Sequence, residues 1–374
     1  MSPKGFLALA VATIVSLGLA AYAVANRDLP VAQTRLDRPF LPELAARVGD
    51  VAQITVRVGG TTMTARRAEN GWVLEEKQGY PVELDKVREL VLGLAQMRLV
   101  EAKTSDPERL ARLELESPDT EGAKSREITL ADADGNVLAK VVIGKRKFSL
   151  YGPGKSGSYV RLAEETQAWL ADRALDVPEE PLDWFDRTIL SLPRKDVAEV
   201  VLRPGSPDEV RIERTGPDND AFALAEVPEG REPDASKPSL LAGTLGNITM
   251  LDLAAAEEKP LPEDAPIARF TAFDGLQVEA RVGVFGEGDD AEYWIAFTAR
   301  EVAPRERPKA AEDAQGEARA DDEAAAKEEP RPVAERVAAL QERLGGRVFK
   351  VSPYLAKRLL WRVEDLLKEP DKAS

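Results

Sequence analysis

The sequence predicts an α+β protein: an N-terminal transmembrane helix, then a duplicated module of antiparallel β-hairpins carrying a packed helix. Three observations lead there. Residues 6–25 form an uncharged apolar run. Gly-Gly, Asn-Gly and Asp-Gly pairs fall between alternating apolar stretches, as hairpin turns do. Landmarks of the first half then return in order in the second, "DVAQITVRVG" from Asp50 being echoed by "DVAEVVLRPG" from Asp196, an offset of 146.

The apolar run, "FLALAVATIVSLGLAAYAVA" from Phe6 to Ala25, is interrupted only by Thr13 and Ser16. Phe6, Leu7, Ile14, Val15, Leu17 and Leu19 are its expected membrane-anchor residues. Twenty residues at helical rise cover about 30 Å, the depth of a hydrocarbon core. Two readings fit the segment. Its length favours an uncleaved anchor, whereas Ala23-Val24-Ala25 has the small-x-small form of a signal-peptide cleavage site. Charge does not orient it, since Lys4 lies on one side and Arg27, Arg35 and Arg38 on the other.

After a linker over 28–47, the first copy is expected over 48–193. Ile54, Val56 and Val58 alternate as in a half-buried strand, Gly59-Gly60 and Asn70-Gly71 supply turns, and "WVLEE" from Trp72 returns. A helix follows in "GYPVELDKVRELVLGLAQMRLVEA", with Asp85 a candidate N-cap and Val87, Leu90, Val91, Leu94 and Met97 on its buried face. "SREITLADADGNVLAKVVIG" reads as two strands about Asp134-Gly135, and "SYVRLAEETQAWLAD" adds strand character through Tyr159, Val160 and Trp169. "PLDWFDRTIL" closes the copy with Leu182, Phe185 and Ile189 on one helical face.

The second copy is expected over 194–302 and 347–367, before a tail over 368–374. "FALAE" from Phe222 answers "WVLEE". "KPSLLAGTLGNITMLDL" answers the first helix, with Leu241, Leu245 and Ile248 inward and Pro238 acceptable in the first turn. The Asp274-Gly275 turn, "EYWIAF" and "RVFKVSPYLAKRLLWRVEDLL" complete the repeat. The two helices share an apolar face and no polar residue on it, so packing rather than chemistry is their expected role. Between the last two landmarks lies an acidic insertion, 303–346. Its part from Ala303 to Pro332 has too few aromatic and β-branched residues to fold alone, while "AERVAALQERL" suits a short helix.

Composition narrows function by elimination. The formal net charge is -15, which leaves no basic stripe for nucleic acid. There is no cysteine and no histidine, so thiolate chemistry and the commonest neutral-pH base and metal ligand are missing. "GPGKSG" from Gly152 to Gly157 meets the G-x-G-x-x-G pattern, but strand-like "SYVRL" follows it where a phosphate site needs a helix. A hairpin loop is the expectation. The matching loop, with Glu287, Asp289, Asp290 and Glu292, lacks calcium-loop spacing and reads as solvated turn. It opposes Lys145, Arg146, Lys147 and Lys155 in the first copy. Trp72, Trp169, Trp184, Trp294 and Trp361 are expected in packing positions.

"GWVLEEKQGYPVELDKVRELVLGLAQMRLVEAKTSDPERLARLELESP" and "PLDWFDRTILSLPRKDVAEVVL" resemble the bacterial domain-of-unknown-function 4340 family, over about Asp50 to Asp365. The resemblance implies a single-pass anchor in the bacterial inner membrane with the bulk of the chain outside the cytoplasm. It also implies association with an ABC-type transport system related to gliding-motility transporters. It carries no catalytic, cofactor or metal residues, and the acidic insertion departs from the compact pattern.

The leading expectation is therefore a non-catalytic, membrane-anchored accessory protein with a protein partner and no cofactor. The alternatives are an extracytoplasmic module binding glycan, peptide or lipid, and a carboxylate-dependent hydrolase, for which no acid pair stands out. Oligomeric state stays open.

Overall fold

The computed structural model describes residues 36–150, 154–214, 221–306 and 331–368. The apolar run with Phe6, Leu7, Ile14, Val15, Leu17 and Leu19 lies outside them, as does most of the acidic insertion. Among the described residues no helix is long and apolar enough to cross a membrane. The architecture is mixed α+β, with antiparallel pairing at every named strand contact and few helices.

The chain forms two compact units: one of residues up to Thr62 plus Val87–Val177, the other of Met63–Lys86 plus everything from Pro178. The crossings at 62/63 and 86/87 set a short ribbon of the 48–193 stretch into the second unit, and the crossing at 177/178 sends its closing segment there too.

In the first unit, β1 (Arg38–Pro39) precedes β2 (Gln53–Val58), where Ile54 and Val56 are buried and Val58 is half-buried. Gly59 and Gly60, both at positive φ, turn the chain into β3 (Thr61–Ala68). The ribbon continues through β4 (Gly71–Leu74) and β5 (Tyr80–Pro81), paired in the order β3-β4-β5. Its first turn is centred on Glu69 and Asn70, one residue before the Asn-Gly pair, and Gly71 opens the return strand at φ +129°.

The helix Leu84–Ala95 follows. Asp85 sits inside its first turn rather than at the cap, where a carboxylate favours the positive end of the helix dipole. Val87, Leu90, Val91 and Leu94 are buried along one face; Met97 is equally buried but lies two residues past the helix end. Gly93 permits close packing, since a Cβ there would stand 2.3 Å from Leu175. Next come β6 (Arg98–Ala102), β7 (Arg126–Ala131), β8 (Val137–Lys147), β9 (Gly157–Leu162) and β10 (Trp169–Ala171). The first unit's strands run in the order β1-β6-β10-β9-β8-β7-β2.

The second unit opens with Pro181–Trp184 as a single 3-10 turn and β11 (Thr188–Leu190). Here the expected helical face of Leu182, Phe185 and Ile189 does not form. The Asp183 carboxylate accepts from the Glu179 and Glu180 amides and closes the turn, and β-branched Thr188 and Ile189 then take extended backbone. The main sheet is built from β12 (Val197–Leu202), β13 (Val210–Arg214), β14 (Phe222–Leu224), β16 (Asp252–Ala255), β17 (Ile267–Ala272), β18 (Leu276–Phe285), β19 (Glu292–Glu301) and β20 (Arg347–Val351). A two-residue β15 (Ile248–Thr249) pairs β11 separately. The sheet order is β14-β13-β12-β17-β18-β19-β20-β16.

That order matches, element for element, the run β4-β3, β2-β7-β8-β9-β10-β6 of the first half. The second helix, Lys237–Ala242, has Pro238 in its first turn and buries Leu241. Leu245 is buried in the following 3-10 turn and Ile248 in β15, because two glycines, Gly243 and Gly246, end the helix after six residues.

Candidate functional site

An open groove of about 670 Å³ lies in the second unit. One wall is the helix Val333–Leu344, the "AERVAALQERL" stretch that suits a helix by sequence. Its Val337 and Leu344 are buried and Leu340 half-buried, a spacing of three, four and seven that makes one apolar stripe. The stripe lies on β19, where Gln341 Nε2 donates to the Ala299 carbonyl at 3.0 Å.

Arg347 closes the helix. Its Nη1 donates to the carbonyls of Glu342, Arg343 and Gly345, at 3.1, 3.0 and 3.4 Å, supplying partners that the last helical carbonyls lack. Its Nη2 reaches the Gln78 carbonyl of the ribbon at 3.1 Å, and its guanidinium stands 5.5 Å from the centre of the Tyr80 ring. Burial pushes the Arg347 guanidinium down from its ordinary value. Tyr80 is itself buried, edge-on to Phe185 at 4.9 Å and to Phe349 at 6.0 Å. Burial pushes its phenol up, against the pull of Arg343 and Arg347.

The groove floor is apolar: Leu190 and Leu192 from the β11 segment, Leu276 and Val278 from β18. The rim is cationic. Arg331, Arg336 and Arg343 line it, together with Glu342 and Asn70. Arg336 pairs with Asp274, Arg343 donates to the Ile189 carbonyl, and Asn70 donates to Glu342 at 3.2 Å. Arg331 and Arg343 have no carboxylate partner among the described residues. The Ser191 hydroxyl donates to the Gly246 carbonyl at 2.6 Å and faces no base. Such a groove suits an elongated, apolar segment that carries negative charge; among the described residues no nucleophile–base pair lines it.

The other residues singled out by sequence are dispersed. Of the Gly152–Gly157 stretch, Gly152 and Pro153 lie outside the described residues; antiparallel β9 begins at Gly157, where a phosphate site needs a helix. Glu287, Asp289 and Asp290 are exposed at the β18–β19 tip. Glu292 departs from the expected solvated turn. Lys350 Nζ at 2.6 Å and Trp294 Nε1 at 3.0 Å donate to it, and with the nearby charge of Lys350 and Lys259 they hold its carboxyl at about 2.

Among the described residues no three ligand-type side chains gather as for a metal ion. The two buried carboxylates face cations rather than another acid. Glu127 meets Arg57 at 3.1 Å and Lys140 at 3.7 Å; Glu199 meets Arg211 at 2.6 Å and Arg305 at 2.7 Å. Trp72, Trp184 and Trp294 are buried, and Trp169 and Trp361 half-buried, so no exposed aromatic platform forms from them. The groove arginines escaped sequence reading because their meaning depends on Leu190, Leu192, Leu276 and Val278, more than fifty residues away in the chain.

Fold and groove together define a class: an antiparallel α+β scaffold presenting a surface groove. Within that class the chain belongs to the family described as Domain of unknown function (DUF4340), whose model matches residues 72–266. No curated protein matches the chain.

Proposed function

We propose that this protein is a non-catalytic, membrane-anchored accessory protein whose second unit docks a partner in the arginine-rimmed groove. The observation that carries the reading is the combination of an apolar floor with Arg331, Arg336 and Arg343 on the rim of a chain whose formal net charge is -15. A locally basic groove with an apolar floor selects a segment that is both anionic and partly apolar, while the acidic surface elsewhere does not attract it. The duplicated scaffold is supported by the matching strand order, and the anchor by the 6–25 run. An extracytoplasmic position and a partner in an ABC-type transport complex follow from the family's usual setting.

The test is crosslinking in native membranes from a photoreactive residue at exposed Ala339 on the groove wall, followed by purification through a C-terminal tag. Permease or ATPase subunits are expected among the captured proteins, and Arg343→Glu should remove them. Capture that is unchanged by Arg343→Glu, or that is equal from exposed Glu89 on the first helix, overturns the docking assignment.

A second reading has its own support. A volume of about 670 Å³ falls in the range of small-molecule sites, roughly 300–1,000 Å³. Recovery of an anionic amphiphile with the purified protein, and of no partner chain, favours it.

A further inference from the structure

We infer that Lys145, Arg146, Lys147, Phe148 and Lys155, where β8 leads toward β9, form a docking surface for anionic lipid headgroups, holding the first unit against the membrane; this rests on the membrane-anchored reading. Lys145, Arg146, Lys147 and Lys155 gather at this tip, and none is paired with a carboxylate among the described residues. Other surface cations, such as Arg57, Arg66, Arg211 and Arg269, are paired with Glu127, Glu75, Glu199 and Glu279. Among the cations stands Phe148, 79% exposed. Its ring lies 5.4 Å from the Arg146 guanidinium, which also donates to Ser156 Oγ at 3.1 Å. An exposed aromatic set among unpaired cations meets both layers of a lipid interface, headgroup charge and the acyl boundary beneath it.

The chain's path points the same way. The first described residue, Leu36, donates its amide to the Val100 carbonyl at 3.0 Å. Val100 shares a buried cluster with Leu150 and Leu170, and Leu150 belongs to the loop after β8, its amide donating to the Lys155 carbonyl at 2.9 Å. The tether therefore enters the first unit beside the tip. Ten residues, 26–35, separate Leu36 from the end of the apolar run at Ala25. Fully extended they reach about 35 Å, so the anchor confines this end of the unit near the bilayer. The corresponding tip of the second half carries exposed Glu287, Asp289 and Asp290, which anionic lipid repels.

The experiment uses the full chain, whose lack of cysteine makes Ser149→Cys a unique labelling site at the tip. The purified protein, labelled there with an environment-sensitive nitrobenzoxadiazole dye, is reconstituted with vesicles of phosphatidylcholine alone or mixed in equal parts with phosphatidylglycerol. Flotation reports attachment, and emission reports the tip. The expected result is flotation with both vesicle types and a blue shift only with phosphatidylglycerol. The shift should be lost in Lys145→Glu/Arg146→Glu/Lys147→Glu, reduced in Phe148→Ser, and absent from a label at Asp289→Cys. Flotation without a shift, or an equal shift on neutral vesicles, overturns the inference while leaving the anchor reading intact. Flotation on anionic vesicles alone, abolished by the charge reversal, overturns the anchor and supports the tip. Flotation on neither overturns both.

Discussion

The two sheets of this protein share one strand order and differ in what has been attached to it. The first half carries a helix of twelve residues, Leu84–Ala95, where the second has six, Lys237–Ala242. The first has a basic β8–β9 tip, the second an acidic β18–β19 tip. Only the second has a helix, Val333–Leu344, inserted between β19 and the strand that follows it. Strand order resists change because each hairpin partner is specified locally and a one-residue slip would turn the apolar face outward. Tips and insertions lie outside the ladder and vary at small energetic cost. The groove arises from that freedom, with an inserted helix as one wall and a floor made by β18 of the shared sheet and the segment of β11.

The largest test of this comparison concerns the ribbon of 63–86, which is first-half in sequence and second-unit in packing. Tyr80→Ala should cost about 3–5 kcal/mol, the range for a fully buried aromatic, in denaturant unfolding. Hydrogen exchange should speed at β20 and the 184–190 segment, which Tyr80 contacts through Phe349 and Phe185, before it changes in β7 and β8. Equal loss across both sheets breaks the division.

A smaller contrast separates equivalent turns. Gly135 and Gly275 both have positive φ, +84° and +96°, where an L side chain costs about 1–2 kcal/mol. A Cβ at Gly135 meets nothing within 4 Å, whereas one at Gly275 meets the Val302 carbonyl at 2.3 Å. Gly275→Ala should therefore be the more damaging, by about 1–3 kcal/mol, in thermal melts of the two variants. Matching losses would mean that the 302 segment gives way freely.

The smallest effect is pH-dependent. Glu292 occupies the place that Ser158 holds in the first half. Its folded pKa, about 2, lies below the ordinary 4.5, so its contribution is fully present above pH 4.5 and is lost as pH falls toward 2. Glu292→Gln should flatten that part of the acid-unfolding curve and leave neutral stability lowered. An unchanged acid limb would show that Lys350 is not its working partner.

Much of the strand content was legible because turn residues and alternation act over a few neighbours: Gly59-Gly60, Asp274-Gly275 and the Ile54–Val56 pattern are local facts. Helix ends were less so. Met97 and Ile248 continue the apolar spacing of their helices but belong to a link and a strand, since burial rewards an apolar residue whatever its backbone. "PLDWFDRTIL" carries helical spacing too, and the Asp183 cap turned it into a 3-10 turn and a strand.

By itself the sequence determined the α+β class, the repeated order of hairpins, the acidic balance and the absence of cysteine and histidine, because these follow from residue type and short-range geometry. Only the tertiary structure decided that residues 63–86 pack with the second half, that Glu292 is held by Lys350, and that Arg331, Arg336 and Arg343 surround an apolar floor. Those outcomes depend on contacts between residues far apart in the chain, where the free energy of packing, rather than local propensity, chooses the partner.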